Sequence, residues 1–186
     1  MSILVAYTSK HGATQGIAER IAATLVASGR EAEVRPVKAD DDLAGYDAFV
    51  IGGATYMGSW LKEATEFVRR NQAILATRPV WLFSSGPLGT ATTDAQGRDL
   101  LVVSEPKEFT EFKETIKPRG LQVFFGALDP SKLGFSERLV RRLPAGRALL
   151  PEGDFRDWKD IEDWAERIAH ELAAAPASPV MAEPPI

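Results

Sequence analysis

ILVAYTSKHGATQGIAERI, residues 3–21, decides the fold. Its first five residues form a continuous apolar run, as in a strand buried on both faces. Thr8 to Thr14 are then seven small or polar residues. Ile17, Ile21 and Leu25 follow at helical spacing, and Gly29 stands where such a helix would stop. The reading is strand, tight loop, helix. Every later part of the chain can be set against that unit.

Working outward, apolar runs alternate with amphipathic segments. Residues 31–37 alternate weakly and contain Pro36, which suits a sheet edge. Residues 46–54, 79–85 and 121–128 read as three further strands. The segments 59–71, 107–117 and 157–173 read as helices. In the first, Ser59 is a candidate cap and Leu61, Ala64 and Val68 face inward. The second turns Phe109, Phe112 and Ile116 inward, and the third Trp158, Ile161, Ala165, Ile168 and Leu172. The order predicts an α/β, doubly wound, five-stranded parallel sheet, strand order 2-1-3-4-5, in three layers. We expect one domain over residues 1–174 and a disordered Pro-rich tail over 175–186.

Composition removes several function classes. The net charge is −4, which argues against a nucleic-acid partner driven by global charge. There are no cysteines, hence no disulfide, thiolate metal site or thiol nucleophile. The two histidines, His11 and His170, show no metal-ligand spacing. The chain opens without a charged leader or cleavage site, and no apolar run reaches membrane-spanning length. A cytoplasmic location is expected.

In such a sheet the ligand belongs outside the carboxyl ends of the first and third strands, where the winding reverses. The first loop, Thr8, Ser9, Lys10, His11, Gly12, Ala13 and Thr14, combines a helix N-terminus, small residues and hydroxyls. That combination describes a phosphate cradle. It lacks the Gly-Lys-Ser/Thr ending of a nucleotide-hydrolysing loop and the Gly-x-Gly-x-x-Gly of a dinucleotide site. It lacks a phosphatase cysteine, and the third strand lacks a receiver-domain carboxylate. What remains is a loop that holds a phosphate without cutting it. A plain turn of small residues is the alternative. Lys10 and His11 are either solvent-exposed loop residues, as expected above all for His11, or charges beside the phosphate.

The loop after the third strand carries Ala54, Thr55, Tyr56, Met57, Gly58 and Trp60. Aromatic and thioether groups suit a flat polarisable ring; burial in the core is the alternative, above all for Trp60. The loop after the fourth carries Ser84, Ser85, Gly86, Pro87, Leu88 and Gly89, hydroxyls and free backbone suited to a ring edge or to a plain turn. One ligand meets all three loops: a phosphorylated flat heterocycle, most simply FMN.

YTSKHGAT, GATYMGSW and FSSGPLG resemble the loops of the flavodoxin-like proteins. ATYMGSWLKEATEFVRRN, FFGALD and DWKDIEDWAERIAHEL resemble, within that family, the menaquinone-dependent protoporphyrinogen oxidase branch. The likeness covers roughly residues 3–173. It implies an FMN flavoprotein in which residues Ser9 to Thr14 hold the phosphate. Tyr56 and Met57 would flank the isoalloxazine, Gly58 would meet N5, and the loop from Ser85 to Gly89 would meet the pyrimidine edge. It also implies electron transport with a redox partner protein, or oxidoreductase activity on a quinone or porphyrin. Residues 90–106 depart from that branch, with Asp94, Asp99 and Glu105 against Arg98. If partner choice resides there, the porphyrin substrate is in doubt. A deazaflavin cofactor, or a non-redox anion-binding module on the same fold, remains open.

Residues 130–147 oppose the acidic average, with Lys132, Arg138, Arg141, Arg142 and Arg147 against Glu137. Phe135, Leu139 and Leu143 recur every four residues, which predicts a basic amphipathic helix. The favoured expectation is a core helix with a solvated basic face. The sharper one is a docking face for an anionic membrane or a carboxylate-bearing substrate.

Overall fold

The computed structural model describes residues 1–38 and 41–174, so the expected tail at 175–186 lies outside the described residues. In chain order the elements are β1 (Ser2–Thr8), α1 (Ala13–Ala27), β2 (Glu31–Pro36), β3 (Ala48–Tyr56), β4 (Ser59–Trp60), α2 (Lys62–Arg70) and α3 (Gln72–Leu75). Then come β5 (Val80–Ser85), α4 (Leu100–Val103), α5 (Glu108–Thr115), β6 (Gly120–Phe124), β7 (Ala127–Leu128) and a 3-10 turn (Pro130–Lys132). The chain closes with α6 (Phe135–Arg141), α7 (Pro144–Leu149), β8 (Gly153–Asp154) and α8 (Trp158–Ala174). No helix among the described residues is long and apolar enough to cross a membrane.

Five strands pair in parallel in the order β2-β1-β3-β5-β6, the doubly wound arrangement expected, with the short β4 folded back antiparallel on β3. β1 and β3 lie inside the sheet, which is why they read as unbroken apolar runs. Only β2, at one edge, alternates. Successive side chains feed opposite faces. Ile3, Val5, Val50 and Phe83 join α1 and α8 on one side. Leu4, Ala6, Phe49 and Ile51 join α2 and α5 on the other. Gly52 and Gly53 in the centre of β3 make room for bulk from neighbours. A Cβ on Gly52 would lie 1.9 Å from Cζ of Phe83, and one on Gly53 would lie 2.6 Å from Nε1 of Trp60.

Two expectations change, and the stretch 90–106 gains a structure of its own. The helix expected from Ser59 starts at Lys62, because Ser59 and Trp60 pair with Tyr56 and Thr55 as a hairpin. The loop at 90–106 contains α4, capped by Asp99, whose carboxylate accepts from the N–H groups of Leu101 and Val102. Asp94 pairs with Arg98 and Glu105 with Lys113, so the acids of that stretch are engaged locally. Finally, 130–147 is not a core helix. It breaks at Pro144 into α6 and α7, and Phe135, Leu139 and Leu143 point to solvent.

Candidate functional site

The carboxyl ends of β1, β3, β5 and β6 surround a cleft. Ser9, Lys10, His11, Ala13 and Thr14 line it from the first loop. Ala54, Thr55 and Tyr56 line it from the second, and Ser85, Gly86 and Leu88 from the third. The three loops singled out in the sequence therefore converge. A hydrogen bond ties the first to the third directly, Thr14 Oγ1 to Ser85 Oγ at 2.7 Å.

The first loop is built to turn backbone donors outward. Gly12 adopts φ +88° at the helix N-cap, and no side chain caps the helix there. Its own N–H donates to Ser9 Oγ at 3.0 Å. The first intrahelical bond is Gly16 N–H to Gly12 O, so the N–H groups of the opening turn have no intrahelical acceptor. That turn carries no acidic residue to compete for them. Thr8 Oγ1 is buried and has no hydrogen-bond partner among the described residues. These features suit an anionic, hydrogen-bonding guest.

In the second loop Met57 takes φ +50° and Gly58 φ +76°, with open space beside Gly58. The Met57 side chain is fully exposed and Tyr56 is partly so, while Lys10 Nζ sits 5.3 Å from the centroid of the Tyr56 ring. Trp60 does not join them. It is only 3% exposed, donates Nε1–H to Gly53 O at 2.9 Å and packs edge-on to Phe109. This removes Trp60 from the cleft wall and makes it core. In the third loop Ser84 is also buried, its hydroxyl bonded to Thr55 Oγ1. Thr8, Gly12, Pro87 and Gly89 belong to the converging loops without lining the cleft, as do Met57 and Gly58.

His11 overturns the expectation of a plain solvent-exposed residue. Its side chain is 9% exposed, with Nδ1 3.0 Å from Lys132 O and Nε2 3.2 Å from the Glu137 carboxylate. Both ring nitrogens thus face oxygen atoms of the 130–147 segment. Lys10 Nζ donates to the same carboxylate at 2.6 Å, and Gly134 N–H adds a third bond at 3.0 Å. Sequence reading missed Glu137, along with Gly126, Ala127, Leu128, Leu133 and Leu150, which complete the wall. The available signal was Glu137 itself, the lone acid of a basic stretch.

The Lys10 hydrogen bond, followed by those from Gly134 and His11, brings the Glu137 carboxyl down to about 2. A depressed carboxylate stabilises the fold above its unfolded value of about 4.5 and ceases to as pH falls through about 2. Glu137→Gln should therefore lower stability by up to about 1 kcal/mol at neutral pH, since the pair is partly hydrated. The difference from the parent should shrink between pH 4.5 and 2, the window set by those two values. Urea unfolding across that range measures it; a difference that stays constant would show that Glu137 acts through packing instead. Burial, then the charge of Glu137, pushes the Tyr56 phenol up to about 12. At neutral pH the cleft thus holds a neutral phenol and an ionised carboxylate.

Comparison with known proteins accords with this architecture. A family model described as the flavodoxin domain matches residues 4–145. Protoporphyrinogen IX dehydrogenase (quinone) of Escherichia coli K12 is 24% identical over 183 residues, spanning 91% of this chain and 96% of that protein. A cysteine-to-serine mutant of flavodoxin from Pseudomonas aeruginosa superposes with a TM-score of 0.59 at 16% identity, over 94% of this chain and all of that one. Oxidised flavodoxin 2 from Bacillus cereus gives 0.58 at 20% identity, over 92% and 99% of the two chains. The family model covers well over half the sequence, and the chain belongs to the flavodoxin-domain family.

Proposed function

We propose that this protein is an FMN-binding redox protein whose cleft serves either an electron carrier or a small quinone- or porphyrin-linked oxidoreductase. The observation that carries this reading is the convergence of an uncapped helix N-terminus with an exposed Tyr56–Met57–Gly58 turn at one cleft. Ser9 to Thr14 would hold the phosphate, chiefly through backbone N–H groups. Tyr56 and Met57 would cover the ring, Gly58 would leave its N5 edge open to the backbone, and Ser85 to Gly89 would meet the pyrimidine edge. Bound FMN supplies one- and two-electron transfer; the chain sets its potential and access. Tyr56 and Glu137 both hold their protonation states at neutral pH. Neither is matched to general acid or base work there, which suits electron transfer better than proton abstraction from carbon.

The visible spectrum of the protein after purification with added FMN tests this reading; a colourless protein, showing no flavin spectrum, would leave a non-redox anion-binding module. Oxidation of protoporphyrinogen with a quinone acceptor separates the enzyme from the carrier, the relative in Escherichia coli being named for that reaction. Low polarity around the ring disfavours its anionic reduced form, so Tyr56→Ala and Met57→Ala should raise the potential. Ring contacts of about 1–1.5 kcal/mol correspond to roughly 20–30 mV on a two-electron couple. Spectroelectrochemistry reads this shift, and unchanged potentials in both variants would put the ring elsewhere.

A further inference from the structure

The segment between β7 and β8 is built with its apolar side outward. Phe135 is 86% exposed, Leu139 54%, and Leu143, on the turn that continues α6, 63%. At about 100° per residue these three lie within roughly 80° of one another. Arg138 and Arg142, both exposed, flank the stripe on one side, and Val140, also exposed, flanks it on the other. The opposite side of α6 is polar and engaged. Glu137 is held by Lys10 and His11. Arg141 donates to Leu150 O at 3.0 Å and pairs with Glu152 at 3.2 Å. The usual surface helix does the reverse, burying its apolar stripe and hydrating its ions.

Charge shows what covers this face. Arg138, Arg141, Arg142 and Arg147 gather around an open cleft, in which Glu152 is the one carboxylate lining the wall among the described residues. The stretch 130–147 is basic within a chain of net charge −4, and its only acid, Glu137, faces inward. We propose that the α6–α7 face docks on an anionic lipid bilayer. Phe135, Leu139 and Leu143 would enter the acyl boundary, and the flanking guanidinium groups would take headgroup phosphates. A second copy of this chain fits less well, because an isologous contact would set Arg138 and Arg142 against their own images. A bilayer accepts a convex stripe of side chains without a shaped receptor. Leu133 borders both this cleft and the candidate cofactor cleft, so docking would hold that cleft beside the lipid phase. The proposal does not depend on the flavin, and FMN-free protein should dock equally.

Co-sedimentation with vesicles of phosphatidylglycerol and phosphatidylcholine in equal parts tests it, against phosphatidylcholine alone. The protein should bind the mixed vesicles at least about tenfold more tightly, and added salt should release it. Leu139→Ser with Leu143→Ser, and separately Arg138→Glu with Arg142→Glu, should each weaken binding about tenfold or more. All four side chains are exposed, so the thermal midpoint of each variant should match the parent. Failure to bind anionic vesicles overturns the proposal, as does parent-like binding by either variant. A dimer dissolved by the Leu139 and Leu143 changes, or an acidic protein captured through the arginines, each without vesicle binding, would also overturn it.

Discussion

Gly52→Ala should lower the thermal midpoint by roughly 6–12 °C. Gly52 sits in β3 in register with Phe83 of β5, and both are buried. An added Cβ would lie 1.9 Å from Cζ of Phe83 and 2.2 Å from Cε1, far inside contact distance. The ring cannot swing aside freely. It packs on Phe124 at 6.1 Å and on Trp164 at 6.2 Å, in the layer under α8. Overpacking of this kind costs about 3 kcal/mol at the upper end of its usual range. Gly45→Ala is the control, since nothing among the described residues lies within 4 Å of the added carbon, and it should fall within about 0.5 kcal/mol of the parent. Shrinking the ring should help: Gly52→Ala with Phe83→Leu should cost less than the sum of the two single changes. Strict additivity would show that the strain is relieved elsewhere.

That glycine also illustrates what the sequence could and could not tell. The apolar runs announced the strands, because inner strands of a parallel sheet are apolar on both faces. They could not announce why β3 carries two glycines, since Phe83 and Trp60 reach them from other elements. The loops could be assigned to one edge from topology alone. Their individual side chains were less legible. Trp60 sits in a loop sequence otherwise suited to a ligand, but Phe109 and Phe112, some fifty residues away, draw it into the core. His11 was set by a partner still more remote, Glu137, which no local pattern links to it. The four-residue rhythm of Phe135, Leu139 and Leu143 fixed a helix face but not its direction. Periodicity is blind to which side of a helix the rest of the chain covers.

Riboflavin, which lacks the phosphate, should bind at least about a hundredfold more weakly than FMN. A phosphate at the start of α1 would meet N–H groups without intrahelical acceptors. A charge-assisted hydrogen bond adds about 1.5–3 kcal/mol, and the helix dipole about 0.3–1 kcal/mol. Two such bonds already exceed the roughly 2.7 kcal/mol that a hundredfold difference requires. The Lys10 charge should matter far less. Lys10 Nζ is held 2.6 Å from Glu137, so its charge is largely offset before any ligand arrives. Lys10→Ala should then change FMN affinity by less than about threefold, the scale of one exposed ion pair. Fluorescence titration of the flavin-free parent with both ligands, and of flavin-free Lys10→Ala with FMN, supplies all three affinities. Equal affinity for riboflavin and FMN would detach the ligand from the helix terminus altogether. A large loss in Lys10→Ala beside a large riboflavin penalty would instead mean that Lys10 leaves Glu137 for the phosphate, and backbone donors would then no longer suffice as the account of the cradle.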